Sequence, residues 1–168
     1  MTASPARIEI TETDPGSPEA RRCLQAYYAE LDRRFEGGFR VGDSRDPAPA
    51  DITPPRGAFL VALADGAPVG CVALKRVDEA TAEVKRLWVA DAARGRGVAG
   101  RLMDRLEALA VERGVRRLRL DTNRALTEAR AMYLAWGWAE IDRFNDDPYA
   151  HYFFEKALPE TVQRRRSS

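Results

Sequence analysis

Val84–Met103 reads VKRLWVADAARGRGVAGRLM: an apolar strand, a turn, and an Arg- and Gly-rich loop opening directly into an amphipathic helix. Such a loop suits a diphosphate. Glycines let backbone N–H groups approach an anion, the first turn of a helix presents partial positive charge, and Arg94, Arg96 and Arg101 add whole charges. Gly95-Arg96-Gly97-Val98-Ala99-Gly100 spells the dinucleotide pattern GxGxxG, with Asp121 about 20 residues beyond it at a strand end. The surroundings weigh against that cofactor. A dinucleotide fold runs a buried apolar strand almost straight into its glycines, whereas here Ala90–Arg94 intervene and the strand carries Lys85 and Arg86. After Thr122 the chain offers one helix and two strand-like runs, short of a second mononucleotide-binding half.

The same loop also reads Arg94-x-x-Gly97-x-Ala99, and Ala129-x-x-x-Tyr133-x-x-x-Gly137-Trp138 follows it on a later helix. In these two motifs, in this order, the chain resembles the GNAT superfamily of N-acetyltransferases over roughly Gly57–Leu158. The resemblance implies acetyl-CoA as acyl donor, with its pyrophosphate on Arg94, Gly95, Arg96, Gly97, Val98, Ala99, Gly100 and Arg101. It places Leu87, Trp88 and Val89 beside the pantetheine arm on a strand distorted there, one N–H serving the acetyl carbonyl. Tyr133 becomes the candidate general acid for the departing thiolate, the alternative being one more aromatic in a core stripe with Met132 and Trp136. Glu83 is the candidate proton acceptor; a cross-strand ion pair is its other reading. His151, the single histidine, is second choice. Leu126 stands where many members carry a cofactor-contacting asparagine, so Asn123 is either a substitute or a turn former.

Composition fits one small enzyme domain. The chain has 168 residues, with 27 Lys plus Arg against 26 Asp plus Glu, so no global basic field calls for nucleic acid. No apolar run reaches membrane-span length and the N-terminus lacks the apolar core of a secretory signal, which points to the cytoplasm. Cys23 and Cys71 are isolated in sequence, without metal or redox spacing, and each reads as a buried reduced cysteine.

Periodicity predicts strands over Ala6–Glu12, Ala58–Ala64, Pro68–Val77, Thr81–Val89, Val115–Thr122, Trp138–Arg143 and His151–Ala157. Helices are predicted over Glu19–Phe35, with Ser17 as N-cap and Pro18 just inside, and over Val98–Glu112 and Leu126–Trp136. Asp65-Gly66 signals a tight hairpin. Gly42–Pro55 reads as a surface flap without a core pattern, and Arg164-Arg165-Arg166 as a frayed tail. The expected fold is mixed α/β, a largely antiparallel sheet flanked by helices. The expected single domain divides into an acceptor-side segment (1–56), an acyl-CoA-binding core (57–158) and the tail (159–168), as a monomer or homodimer. Arg33, Arg34, Arg40 and Arg45 could hold a carboxylate or phosphate of the acceptor, or could lie on a solvated face. This leaves a small amino-acid-like amine ahead of a protein N-terminus or lysine, with a non-catalytic acyl-CoA-binding module as the rival class.

Overall fold

A computed structural model describes residues 7–45 and 47–160, so Ala6 and the arginine tail lie outside the described residues. In chain order the elements are β1 (Ile8–Glu12), α1 (Pro18–Arg34), β2 (Gly57–Ala64), β3 (Ala67–Arg76), β4 (Thr81–Val89), α2 (Val98–Glu112), β5 (Arg117–Thr122), α3 (Ala129–Ala135), β6 (Ala139–Ile141) and β7 (Tyr152–Ala157). Short 3₁₀ turns occupy Val41–Asp43, Pro49–Ile52 and Asp91–Ala93.

Local chemistry sets the element ends. Asp65 and Gly66 both take positive φ, 47° and 86°, the torsions that a type I′ turn demands, and Ala64 pairs with Ala67 across it. Ser17 caps α1 by accepting the Ala20 N–H at 3.2 Å, a contact worth about 1 kcal/mol. Gly114, at φ 82°, follows the C-terminus of α2.

The sheet runs β1-β2-β3-β4-β5-β7-β6, and every neighbouring pair is antiparallel except β4 with β5. That order has no doubly wound parallel half, which removes the dinucleotide reading on architecture alone. A core lies on each face. Val98, Leu102, Leu106 and Leu109 of α2 pack with Leu60, Val72 and Leu118 and with Tyr133 of α3, while Ala20 and Cys23 of α1 pack with Phe59, Val61 and Cys71 on the other side. No helix among the described residues is long and apolar enough to cross a membrane.

Two sequence expectations need correction. The proline-rich flap does hold a core residue, because its 3₁₀ turn at Pro49–Ile52 drives Ile52 to 0% exposure beneath α1 and β2. Helix α3 begins at Ala129 rather than Leu126, since Asn123 accepts the Ala125 N–H at 2.8 Å and folds residues 123–126 into a turn. Cys23 and Cys71 are free and buried, as the sequence suggests, and they share the α1-side core, where Cys23 Sγ donates to Gly70 O at 3.5 Å and burial pushes the Cys71 thiol well above its usual range. A helix thiol and a strand thiol far apart in sequence carry no local signal of that meeting.

Candidate active site

β4 and β5 pair only over Thr81–Glu83 with Arg117–Arg119, then part, although both strands continue. The cause lies in β4. Its register against β3 shifts between Cys71 and Ala73, so that Arg86 and Leu87 together oppose Val72, and Arg86 sits at φ 58°. Left-handed backbone at a non-glycine residue costs about 1 kcal/mol, and several contacts hold it here. The buried guanidinium donates to Pro47 O at 2.6 Å and lies over the Tyr28 ring, while Cys71 Sγ donates to Arg86 O at 3.2 Å. The distortion expected over Leu87–Val89 is thus centred at Arg86 and Leu87. Ala90 N–H donates to Val69 O, so the period of two turns the Leu87 and Val89 N–H groups away from β3 and toward the gap.

A cleft of about 710 Å³ opens from this gap across the glycine loop to α3, lined among others by Leu87–Val89, Arg94, Gly95 and Gly97–Gly100. Among the described residues the backbone N–H groups from Gly95 to Gly100 have no backbone acceptor, and the first turn of α2 carries no acidic residue to neutralise its end. Gly95 and Gly97 take φ of 80° and 75°, torsions that let the chain curl around an anion. The loop arginines are arranged otherwise than their number suggests. Arg94 is held by Glu30 at 2.7 and 2.8 Å and by Asp91 at 2.9 Å; Arg101 turns to Ile8 O, and neither Arg96 nor Arg101 lines the cleft. The anion cradle is therefore mainly backbone.

Across the cleft mouth, Arg34 of α1 grips Glu128 through paired 2.8 Å bonds and also reaches Glu30 at 3.3 Å. The Arg34 guanidinium pulls the Glu128 carboxyl down from 4.5 to about 2. A carboxylate with its folded pKa depressed adds stability that is complete above 4.5 and is lost as pH falls toward 2. Wild type and Glu128→Gln should therefore differ in thermal midpoint by a constant offset at neutral pH and converge under acid titration. An offset independent of pH would assign the difference to something other than this pair.

Tyr133 stands where the cleft meets a second pocket of about 110 Å³ and lines both. Its ring is fixed by Trp136, Trp138 and Phe154 at centroid distances of 6.0, 6.0 and 5.6 Å. The residue is buried, yet among the described residues its hydroxyl has no hydrogen-bond partner. Burial, and then the charge of Asp121, push the phenol pKa above its ordinary value, so the group keeps its proton. A phenol so held is a proton donor.

The smaller pocket lies between β4, β5 and the end of α1. Its roof is a clasp between two loops: Arg45 pairs with Asp146 at 2.6 Å, the Arg45 N–H donates to Asp147, and the Arg40 N–H donates to the Tyr149 hydroxyl. Tyr27, Phe35, Phe39 and Tyr149 form its aromatic wall.

The other sequence candidates fall as follows. Trp88, Val98, Ala99 and Gly100 line the larger cleft. Glu83 lines neither cavity and lies 3.9 Å from Lys85, which in turn lies 3.7 Å from Asp121. Asn123 lines the smaller pocket, its oxygen taken by Ala125 N–H and its amide donating to Tyr149 O. His151 accepts the Arg124 N–H through Nδ1 and lines neither cavity; its pKa is lowered by burial and then by Arg124 and Arg143. Of the arginine cluster, Arg33 and Arg34 line the larger cleft and Arg45 the smaller, but Arg34 and Arg45 are already paired. Asp121, which the sequence offers only as part of the dinucleotide pattern, lines the smaller pocket together with Asp147.

Residues 24–138 match the model of the acetyltransferase (GNAT) family. An IAA acetyltransferase from Azospirillum brasilense is 36% identical over 104 residues, which span 60% of this chain and 67% of that protein. An uncharacterized N-acetyltransferase from Mycobacterium tuberculosis is 33% identical over 87 residues, or 52% of this chain and 56% of its own length. The PaiA N-acetyltransferase from Thermoplasma acidophilum, solved in complex with coenzyme A, superposes with a TM-score of 0.69 at 18% identity over 90% of this chain and 99% of that one. With the family model spanning more than half of the sequence, the chain belongs to the acetyltransferase (GNAT) family.

Proposed function

We propose that this protein transfers the acetyl group of acetyl-CoA to a primary amine of a small, amino-acid-sized metabolite by direct attack, with Tyr133 as general acid. The observation that carries the reading is the Tyr133 hydroxyl at the junction of two cavities, without a hydrogen-bond partner among the described residues, as are the backbone N–H groups that wall one of those cavities. Family membership supports acetyl-CoA as the donor, and a protein of like fold has been solved with coenzyme A. Bound acetyl-CoA supplies an acetyl group activated as a thioester. Gly95–Gly100 then hold its pyrophosphate by backbone N–H groups, and Arg94 stands at the loop's edge. Leu87 and Val89 direct N–H groups into the gap, where one polarises the acetyl carbonyl. Tyr133 gives its proton to the leaving sulfur. Glu83, reached through Lys85, is the proposed outlet for the amine proton, and Asn123 shapes the wall on which the acceptor rests.

The loop clasp favours a small acceptor over a protein terminus or lysine, because it roofs a pocket of only about 110 Å³. Thermal-shift measurements with acetyl-CoA and with NAD test the donor, and thiol release from acetyl-CoA with a panel of amines tests turnover. Stabilisation by NAD alone would overturn the reading. Gly97→Ala places a side chain at φ 75° in the cradle; it should weaken acetyl-CoA binding by about tenfold, read by calorimetry, since backbone approach to the phosphates is lost.

A further inference from the structure

The smaller pocket has a chemistry that the transferase reading does not use. Its wall is aromatic, with Phe39 and Tyr149 ring centroids 4.8 Å apart and Phe35 5.7 Å from each. Its cations are all engaged. Arg45 is bound to Asp146 by two guanidinium nitrogens, at 2.6 and 2.9 Å; Arg86 donates to Pro47 O and lies over Tyr28; and Lys85 sits between Glu83 and Asp121. Asp147 is likewise satisfied, accepting the backbone N–H groups of Tyr149 and Arg45. Asp121 differs from it. Asn145 and Lys85 both address Oδ2, at 2.8 and 3.7 Å, and among the described residues Oδ1 has no hydrogen bond or ion pair. Its side chain is only 16% exposed and stands on the pocket that Tyr133 also lines.

From this arrangement we infer that the acceptor is a compact apolar or aromatic monoamine without a carboxylate, its ammonium group received by Asp121. The inference rests on the transferase reading and sharpens its acceptor. An ammonium ion leaving water needs an anion with an open lone pair, which Asp121 provides. A carboxylate entering the same pocket would need an open cation, whereas Arg45 and Lys85 already face carboxylates and Arg86 is committed to Pro47 O and the Tyr28 ring. Size agrees: a closed cavity of about 150 Å³ holds benzene, so a pocket near 110 Å³ that opens toward the larger cleft takes one ring or a short branched chain. Asp121 takes the first proton from the ammonium. The neutral amine nitrogen then forms the C–N bond as the C–S bond breaks, the Tyr133 proton goes to sulfur, the remaining surplus amine proton leaves to water by way of Lys85 and Glu83, and the proton held by Asp121 restores Tyr133. The balance is acetyl thioester plus ammonium giving amide, thiol and one proton.

The test measures kcat/KM for thiol release with matched pairs that differ only in the carboxylate: phenethylamine against phenylalanine, and isoamylamine against leucine. The amines should be preferred by about 100-fold, the order measured when a buried charge is left unpaired. Asp121→Asn should lower kcat/KM for the amine by a similar factor with acetyl-CoA affinity unchanged, and Asp121→Glu should recover part of it. Equal or better use of the amino acids overturns the inference while leaving the transferase reading intact. Full activity in Asp121→Asn overturns the ammonium site. Acetyl-CoA binding with no turnover of any small amine overturns both readings.

Discussion

Replacing Tyr133 with phenylalanine will lower kcat by about 100-fold to 10,000-fold, the range for losing a positioned general acid, while acetyl-CoA still binds. The substitution isolates chemistry from architecture. The hydroxyl has no partner among the described residues, so its removal orphans nothing, and the ring contacts with Trp136, Trp138 and Phe154 remain. Thermal unfolding should therefore shift little, by no more than about 0.5 kcal/mol. Steady-state thiol release beside a melting curve decides the matter. Undiminished turnover in the variant would remove Tyr133 from the chemistry, and a collapsed melting curve would make it a packing residue.

The second large effect is structural. Gly57→Ala should destabilise the protein by about 3 kcal/mol or more, a fall of roughly 10 °C in thermal midpoint for a chain of this size. A Cβ there would overlap the carbonyl oxygens of Leu74 and Asp51 and crowd the Ile52 Cα, all of them backbone atoms that have no rotamer to change. Gly66→Ala is the matched control: its φ of 86° is unfavourable for alanine, but no atom lies within 4 Å of the added carbon, so about 1 kcal/mol is expected. Urea denaturation of both variants measures the contrast. Equal losses would show that steric overlap at Gly57 is relieved by backbone movement.

Elements with strong local chemistry were legible in the sequence. Helix α2 occupies the predicted Val98–Glu112, because its apolar stripe has period 3.6 and Gly114 ends it, and β4 occupies the predicted Thr81–Val89. The Asp65-Gly66 turn was readable for the same reason. Contacts made by residues distant in sequence were not. Ile52 looks like a lone apolar residue among prolines until β2 and α1 close over it, and Cys23 meets Cys71 only when α1 lies across β3. At the site, the glycine loop and Tyr133 belong to motifs and could be named. Arg94 could not be foreseen to turn toward Glu30, nor Glu83 to fall behind Lys85 and outside both cavity linings, because strand pleat and ion-pair partners depend on register. A signal for Asp121 did exist: a carboxylate ending the strand parallel to β4, in a sequence where β5 alternates Leu118 and Leu120 with charged residues.

The loop clasp joins chain positions that emerge from the ribosome far apart in time, Arg45 waiting for Asp146 and Asp147 and Phe39 for Tyr149. The Gly95–Gly100 loop, by contrast, joins β4 to α2, elements adjacent in sequence. Closing so long a loop is entropically late, after local contacts have formed. In a growing chain the proposed acceptor pocket is thus the later of the two sites to be completed, since its roof waits for residues that follow β6.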